Sequence, residues 1–330
     1  MELVEFGPDD AAQAAVFLEL THATDAVDCP WEPVRTSYRQ EMYMRHSWEG
    51  EPGRWFVGYD GVEPVATAVV DASDYDNLEL AWFTLRVAPG HRRRGYGTTT
   101  LRALEDVARG MGRPLLGMDG WDSAATRAFA TTHGYEQRSA EIRRVQVLGE
   151  APDPRPIRDE ALAHAGDYEL FRVAGHAPAD LLPALVDLTA AINDAPLDGL
   201  EWEDEVYSPE RVRAYEDAQI TSGFRFRRLV ARHRASGDLA GHTVVVVDEE
   251  QPSFGEQHDT SVVRAHRGHR LGLLLKAEMM LWLAQEEPQL ERLYTNNAES
   301  NRHMIVVNDR LGYRPVGRIL EFQRRVTPRR

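Results

Sequence analysis

One short segment occurs twice in this chain, and the repeat constrains the fold more than any other feature of the sequence. The first copy, His91 to Gly97, reads His-Arg-Arg-Arg-Gly-Tyr-Gly, and the second, His266 to Gly272, reads His-Arg-Gly-His-Arg-Leu-Gly. Each copy lies between a run typical of a strand and a long helical pattern. A chain of 330 residues is long enough for two domains of ordinary size. We therefore expect two domains of the same fold.

The elements around each loop predict an anion site. Residues 78–87 are rich in aromatic and branched side chains, and residues 98–109 have apolar residues at helical spacing. In the second half, residues 254–263 and 273–285 repeat this order. A strand, a Gly-containing loop and a helix N-terminus direct several backbone N–H groups to one point, where the helix dipole also favours an anion. Both loops are therefore candidates to hold a phosphorylated ligand.

The loops do not match the commoner phosphate motifs. Neither copy has the Lys-Ser or Lys-Thr pair of a nucleotide P-loop, and neither has the third glycine of a dinucleotide fingerprint. The first copy instead resembles the acyl-CoA loop of the GNAT superfamily of N-acetyltransferases, since Arg92-x-x-Gly95-x-Gly97 matches that signature fully. In the second copy Arg267 and Gly272 fit, but Arg270 stands where the first glycine is expected and Gly268 is displaced by two positions.

The flanking elements extend the resemblance over nearly the whole chain. It implies an α/β (α+β) fold of two tandem GNAT domains, each a mixed, mostly antiparallel central sheet flanked by helices, and the arrangement is similar to that of the mycothiol synthase family. The proline-rich stretch after Gly149 predicts a linker. We expect an N-terminal domain over 1–149 that is structural or only binds coenzyme, a linker over 150–166, and a catalytic C-terminal domain over 167–330.

The composition limits the cellular location and the partners that we expect for this protein. Cys29 is the only cysteine, so no disulfide framework exists and a reducing, cytoplasmic location is expected. No apolar run is long enough to span a bilayer, and the net charge of −15 argues against nucleic acid as a partner. An acidic surface would attract a cationic amine, although it also serves solubility. We expect no membrane partner, and either a monomer with pseudo-dimeric packing or a homodimer.

The resemblance implies acetyl-CoA as acyl donor, no metal, and a set of coenzyme-binding residues. In GNAT enzymes the strand before the loop offers backbone groups to pantetheine, and the late helix often begins with an Asn that contacts the coenzyme. Carried over by position, the expected residues are Val87, Arg92, Arg93, Arg94, Gly95, Tyr96, Gly97 and Thr98 in the first domain and Val262, Arg267, Gly268, His269, Arg270, Leu271, Gly272, Leu273 and Asn301 in the second.

The two halves differ in their candidate bases. Aligning the loops places Glu256 opposite Ala81, so only the second domain has a carboxylate where many GNAT enzymes carry their base. Glu256, His258 and Thr260 share one strand face by alternation. A carboxylate in an apolar cleft has a raised proton affinity, which suits a general base near neutral pH. The alternative is that Glu256 and His258 lie at a solvated strand end.

The late helix also differs from the family pattern. The Tyr that protonates the departing thiolate in GNAT enzymes is replaced by Asn308 in the second domain and Ala130 in the first, and the first domain has Ser123 where the second has Asn301. The general acid is therefore unassigned.

An acidic stretch in the second half is a candidate acceptor site. In GNAT folds the connection between the first two helices usually lines the acceptor pocket, and carboxylates beside a Trp suit an ammonium group by charge and cation–π contact. The expected substrate residues are Glu201, Trp202, Glu203, Asp204 and Glu205. The alternative is a solvated loop before a helix capped by Ser208.

These features predict an N-acetyltransferase that transfers acetyl from acetyl-CoA to a small cationic amine by direct attack in the C-terminal domain. Glu256, or a water that it positions, would deprotonate the amine. Three alternatives stay open: catalysis in the N-terminal domain, a sensor or scaffold that binds acyl-CoA without turnover, and a longer acyl donor.

Overall fold

The computed structural model describes residues 1–326. The first repeat begins with a strand and two helices, continues through a three-strand meander, and ends with helix, strand, helix and strand. Its elements are β1 (Glu2–Phe6), α1 (Ala11–Asp28), α2 (Ser37–His46), β2 (Arg54–Asp60), β3 (Glu63–Asp71), β4 (Leu80–Val87), α3 (Tyr96–Gly110), β5 (Leu115–Trp121), α4 (Ala124–Thr132) and β6 (Glu136–Val147), with a 3₁₀ turn at Pro89–His91.

The second repeat follows the same order after one additional helix. Its elements are α5 (Pro154–Leu162), β7 (Tyr168–Ala174), α6 (Leu182–Ala190), α7 (Pro209–Thr221), β8 (Phe224–His233), β9 (Leu239–Asp248), β10 (Phe254–Val262), α8 (Leu271–Glu286), β11 (Arg292–Ala298), α9 (Arg302–Arg310) and β12 (Arg314–Arg325), with 3₁₀ turns at Ala191–Asp194 and Arg264–His266. The predicted fold class, mixed and mostly antiparallel sheet flanked by helices, is confirmed.

Single side chains define where several helices begin. Asp10, Thr36, Ser123, Ser208 and Asn301 each precede a helix and accept a hydrogen bond from the backbone N–H three residues later. This bond satisfies one of the donors that a helix N-terminus leaves without an intrahelical partner. The segment expected as a linker contains α5, which starts with Pro154 after the capping Asp153. Proline fits there because the first helical residue needs no N–H partner.

The chain forms two compact units that are not contiguous in sequence. Unit 1 comprises Met1–Glu141, Leu197–Glu203 and the end of the chain from Gly317, and unit 2 comprises Ile142–Pro196 and Asp204–Val316. Most of β12, from the second repeat, therefore belongs to unit 1, and the second half of β6, from the first repeat, belongs to unit 2. The expected domain boundaries at 149 and 167 stay a prediction.

Unit 1 is a sheet with helices on both faces. Its strands run β1-β2-β3-β4-β5-β12, with β4 and β5 parallel and β12 antiparallel to β5. On one face, α3 packs against the sheet in a core that includes Leu104, Phe83 and Phe322. On the other face, Phe17 of α1 and Met44 of α2 pack against β2. Because strand side chains alternate, residues next to those of the α3 core point to the α1–α2 face.

Unit 2 has the same plan. Its strands run β6-β11-β10-β9-β8-β7, and β10 and β11 are the parallel pair. The core beneath α8 also takes in Ala161 and Ala165 from α5 and the turn after it, while Leu185, Leu188 and Val212 of α6 and α7 fill the opposite face. The α5 helix thus covers part of α8.

Candidate functional site

The two loops have the same backbone although their glycines stand at different positions. In the first loop, Arg93 (φ 65°) and Gly95 (φ 89°) are left-handed, and in the second the equivalent residues Gly268 (φ 87°) and Arg270 (φ 56°) are left-handed. Each loop therefore has one glycine and one arginine in the left-handed region, in opposite order. This explains why Gly268 is displaced from the family signature, since the left-handed conformation disfavours side chains and glycine relieves it at either place.

Both loops end at the start of a helix. Gly95 and Arg270 are the N-caps of α3 and α8, and neither makes a side-chain cap. The first intrahelical bonds run from Thr99 N to Gly95 O and from Leu274 N to Arg270 O. The backbone N–H groups just before Thr99 and Leu274 therefore lack intrahelical partners, which is the arrangement that binds an anion.

The leading arginine of each loop fastens the loop to the strand before it. Arg92 donates from Nε to the Val87 carbonyl at 3.1 Å and from both terminal nitrogens to Asp28 at 2.9 and 2.6 Å. Arg267 donates to the Val262 carbonyl at 3.0 Å and to Asp194 at 2.6 Å. Both aspartates lie at the end of the first helical segment of their repeat. These bonds give the two arginines a structural role, and a coenzyme contact for them stays a prediction.

The surroundings of the two loops differ. In unit 2, Glu160 of α5 accepts hydrogen bonds from both Arg270 and Arg310, and Asp194 pairs with Arg264 as well as Arg267. The first residues of α8 are buried, whereas the first three residues of α3 are half-buried and Arg93 and Arg94 are exposed. A carboxylate beside the second loop opposes an incoming phosphate, because like charges repel. The first loop also has carboxylates nearby, since Tyr96 donates to Asp60 and His91 pairs with Glu63 at 3.3 Å, so the two loops differ mainly in the exposure of the helix start.

In both units the strand before the loop separates from its parallel neighbour. The pairing of β4 with β5 runs from Leu80 with Leu115 to Phe83 with Met118, and that of β10 with β11 ends at Glu256 with Tyr294. Beyond these points the strand edges are open to a ligand. The two differ in one respect: β10 has a register shift between Gln257 and Thr260, whereas β4 pairs with β3 without one.

Glu256, the expected base, is held in an ion pair. Arg143 donates to both of its oxygens, at 2.7 and 2.9 Å, and the same guanidinium lies 4.8 Å from the centre of the Tyr294 ring. A bidentate guanidinium stabilises the ionised carboxylate and thereby weakens it as a proton acceptor. A catalytic role for Glu256 stays a prediction.

His258, the other candidate, lies in the shifted segment of β10. Its Nδ1 is 2.6 Å from the hydroxyl of Tyr215 on α7. Burial, with a smaller contribution from the positive charge of Arg143, lowers the pKa of His258 to about 3. The neighbouring Asp259 pairs with His242 at 2.7 Å. His258 is therefore neutral at pH 7, and such a low pKa makes it a weak base.

The side chains of Ser123 and Asn301 cap the N-termini of α4 and α9, the late helices of the two repeats. Asn301 accepts from Met304 N at 3.2 Å, and Ser123 accepts from Thr126 N at 3.0 Å. Asn308, at the position of the family's tyrosine, donates to Asn297 at 2.5 Å. The cap occupies the side-chain oxygen of Asn301, and its coenzyme contact stays a prediction.

The acidic stretch expected to serve the C-terminal domain lies instead partly in unit 1, where its residues contact that unit's strands. Gln323 of β12 hydrogen-bonds both the backbone N–H and the carbonyl of Glu201, and Arg325 pairs with the Glu201 carboxylate at 2.9 Å. Glu203 bonds Asn77 through its backbone N–H and its side chain. Asp204 and Glu205 belong to unit 2, where Glu205 bonds Asn193. The sequence did not indicate this division.

A second group of residues, which the sequence did not single out, surrounds the opening between β4 and β5. The indole of Trp82 lies across Gly117, where a Cβ atom would come within 2.2 Å of the ring. This placement lets Trp82 Nε1 donate to Asp119 at 2.8 Å. The half-exposed ring of Trp202 meets Trp82 edge-on at 6.1 Å. Together they form an aromatic and acidic wall.

The carboxyl groups of this wall have raised pKa values. Burial, reinforced by the charge of Asp119, raises the pKa of Asp71 to about 6. Desolvation raises the pKa of Asp119 against the opposing effects of Trp82 and Arg86. Burial and the carboxylate of Glu141 raise the pKa of Glu321 to about 7. We name Trp82, Asp119, Trp202 and Glu321 the unit 1 cleft.

A signal for this cleft was present in the sequence. Residues 116–119 alternate apolar with small or polar side chains, and Asp119 is the single carboxylate of β5. The alternation places Asp119 on the face opposite the core, but its position beside Trp82 depends on strand register.

Each repeat thus has a strand that separates from its parallel neighbour before a loop with two left-handed residues and a helix start. Residues 20–135 match the model of the acetyltransferase (GNAT) family. A tandem GNAT protein from the clavulanic acid biosynthesis pathway is similar over 100% of this chain and 99% of its own, with 25% identity and a TM-score of 0.80. A GCN5-related N-acetyltransferase from Sphaerobacter thermophilus covers 99% of this chain and 96% of its own, with 17% identity and a TM-score of 0.71. No curated protein matches the chain significantly in sequence.

Residues 20–135 therefore form a domain of the acetyltransferase (GNAT) family, the whole chain has the fold of a tandem GNAT protein, and these matches together indicate an N-acetyltransferase. Among the helices of residues 1–326, none is both long and apolar enough to cross a membrane. In the same residues, no three His, Cys, Asp or Glu side chains are grouped as metal ligands would be.

Proposed function

We propose that this protein transfers acetyl from acetyl-CoA to a primary amine of a small cationic molecule, with the coenzyme on the Arg92–Thr98 loop and the chemistry in the unit 1 cleft. The observation that carries this proposal is the opening between β4 and β5, which follows Phe83 and Met118 and has Trp82 and Asp119 at its edge. The sequence favoured the C-terminal domain, and the contacts around the two openings favour unit 1.

The loops support this choice. The family model matches residues 20–135, which include the first loop and not the second. In unit 2 the carboxylate of Glu160 is bonded to Arg270 at the start of α8. A phosphate bound there would have to displace or approach that carboxylate, at a cost in electrostatic free energy. In unit 1 the half-buried start of α3 and the exposed Arg93 and Arg94 favour an anion.

The acceptor side supports a cationic substrate. Asp119 offers negative charge beside Trp82, and the faces of Trp82 and Trp202 suit an ammonium group by cation–π attraction. Two of the four residues of the unit 1 cleft come from the second repeat, Trp202 in the segment 197–203 and Glu321 on β12. The similar tandem protein belongs to a small-molecule biosynthesis pathway, which supports a small acceptor such as an amino sugar, a polyamine or a pathway intermediate.

The coenzyme supplies the acetyl group as a thioester. The chain would hold its phosphates with the N–H groups at the start of α3 and would bind pantetheine along the open edge of β4 near Val87. Asp119 would hold the ammonium group of the acceptor beside that edge, so that the amine attacks the thioester directly once it has lost a proton.

Unit 2 is the second candidate for catalysis. The register shift in β10 re-aims the side chains at His258 and Asp259 beside Glu256, as bulges near active sites commonly do. Arg143 would have to release Glu256 before that carboxylate accepts a proton.

Calorimetric titration of acetyl-CoA into the wild type, Gly95→Asp and Gly272→Asp tests the assignment. Asp at either position puts a negative charge at a helix start where a Cβ atom has no neighbour within 4 Å. Gly95→Ala is the matched control for Gly95→Asp, because it adds the same left-handed strain without the charge. We expect one site in the wild type, lost in Gly95→Asp and retained in Gly95→Ala and Gly272→Asp.

A site lost only in Gly272→Asp would overturn the assignment to unit 1 and favour the C-terminal domain. Two sites, one lost in each variant, would leave the choice to turnover, assayed as thiol release with a panel of amines. Coenzyme binding without thiol release from any amine would favour the sensor or scaffold function.

A further inference from the structure

Glu321 lies in the unit 1 cleft although it is only nine residues from the end of a 330-residue chain. It is directly opposite Asp119 in the antiparallel pairing of β12 with β5. Its neighbours Leu320 and Phe322 point into the α3 core, so Glu321 points to the α1–α2 face together with Asp119 and Trp82. Residues directly opposite each other in an antiparallel pair have Cβ atoms about 5 Å apart. Glu321 is thus within one side-chain length of the Asp119 carboxylate.

The groups that face Glu321 come from three elements. Glu141 of β6, Asp119 of β5 and Asp198 of the segment 197–203 bring negative charge, and a hydrogen bond with Ser139 of β6 opposes their effect. The pKa of Glu321 rises mainly through burial and secondly through Glu141, and reaches about 7. Asp119 differs because Trp82 donates to it and the positive charge of Arg86 lies near it. The two carboxyl groups therefore suit different tasks.

We propose that Glu321 accepts the proton that the acceptor's ammonium group must lose before it attacks, while Asp119 stays ionised and holds that ammonium group. This inference rests on the proposed function of unit 1. A general base works best when its proton affinity is matched to the working pH, and a half-buried carboxyl among other carboxylates meets that condition. The last strand of the second repeat thus supplies the base for a coenzyme loop in the first.

The step balances in atoms and charge. One N–H bond of the ammonium breaks, its proton bonds to a carboxylate oxygen of Glu321, and the neutral amine gains a bond to the carbonyl carbon of the thioester. The C–S bond then breaks, and the sulfur leaves with a proton that the new amide nitrogen gives up. Glu321 later returns its own proton to solvent. The net products are the amide, the free thiol and one proton.

The test compares wild type with Glu321→Gln, Glu321→Asp and a matched control, Glu136→Gln. Glu136 is an exposed carboxylate at the start of β6, paired with Arg138. Thiol release is measured from pH 5.5 to 9 with putrescine, spermidine, arginine, glucosamine and kanamycin, and the amine with the highest wild-type kcat/KM is used throughout. Calorimetry with acetyl-CoA verifies that each variant still binds the coenzyme.

We expect Glu321→Gln to lower kcat by about 10²–10⁴ with little change in KM or in acetyl-CoA binding, the range that general base catalysis supplies. The wild-type kcat should rise with pH through an apparent pKa near 7, and that limb should be absent from Glu321→Gln. Glu321→Asp should recover part of the rate, and Glu136→Gln should match the wild type.

Two outcomes overturn the inference, and they are distinguishable. If the wild type turns over but Glu321→Gln keeps its kcat and its pH profile, Glu321 is not the base and the proposed function stands. If the wild type releases no thiol with any of the amines, the proposed function fails and the role of Glu321 fails with it.

Discussion

A single substitution on β12, near the end of the chain, should destabilise unit 1, which contains the beginning of the chain. Phe322 on β12 is 3% exposed and belongs to the core beneath α3, and Leu293 on β11 is 1% exposed and belongs to the core beneath α8. Both residues come from the second repeat. If each repeat folded by itself, Phe322→Ala and Leu293→Ala would loosen the same domain. The composition of the units predicts that they loosen different ones.

The expected magnitude follows from the size of the side chains removed. A buried Phe→Ala substitution costs about 3–5 kcal/mol and a buried Leu→Ala about 2–5 kcal/mol, because transfer and cavity contributions add. A loss of about 3 kcal/mol in opening free energy accelerates amide exchange about 150-fold where exchange follows the opening equilibrium. Such a change is measurable by hydrogen exchange with mass spectrometry on peptides from individual strands.

We expect Phe322→Ala to accelerate exchange in β4 and β5 and to spare β8 and β9, and Leu293→Ala to do the reverse. Each variant is the control of the other, since both remove a buried apolar side chain from neighbouring parts of the sequence. Acceleration of β8 and β9 by Phe322→Ala, with β4 and β5 unchanged, would refute the placement of β12 in unit 1. Equal acceleration everywhere would refute the independence of the two cores.

Three further outcomes follow from individual contacts. Gly117→Ala should displace the indole of Trp82 and lower the free energy of unfolding, measured by urea denaturation, by about 1–3 kcal/mol. It should also raise KM for the amine and leave the affinity for acetyl-CoA unchanged. An unchanged KM would show that Trp82 and its neighbours do not bind the acceptor. Because the pKa of Glu321 is raised to about 7, the folded state binds more protons than the unfolded state between pH 4.5 and about pH 7. The contribution of Glu321 to the free energy of unfolding is therefore fully present below pH 4.5 and is lost as the pH rises through 7. Glu321→Gln should therefore gain about 1–3 kcal/mol of stability over the wild type at pH 8 and little at pH 5. Burial and the nearby Asp25 raise the pKa of Cys29 to about 12, so the native protein at pH 8 should resist iodoacetamide, and rapid alkylation would contradict its burial.

Local patterns were enough to predict the elements and both loops. The apolar spacing of residues 98–109 predicted a helix that the structure has at Tyr96–Gly110, and residues 209–221 form α7 as expected. These features depend on neighbours within a few residues, which the sequence displays directly. The backbone of the second loop can also be predicted from that of the first, because a glycine can occupy either of the two left-handed positions.

The composition of the units was not predictable in the same way. The last strands of the two repeats, β6 and β12, each have 12 residues. Nothing local determines whether such a strand joins the sheet of its own repeat or the other, because the pairing partner is far away in sequence. For the same reason the sequence did not show that Glu201 contacts Gln323 and Arg325.

The placement of β12 gives the duplication a physical consequence for the site. In unit 1 this strand covers the edge of β5 and carries Glu321 into the cleft, while Gln323 and Arg325 fix the backbone and side chain of Glu201 beside Trp202. A single repeat ending before the linker would contain the first loop and Trp82 but would lack every one of these groups. Under the proposed function, the two repeats have diverged in a complementary manner, in which the first provides the coenzyme loop and the second provides Glu321 and the segment around Trp202.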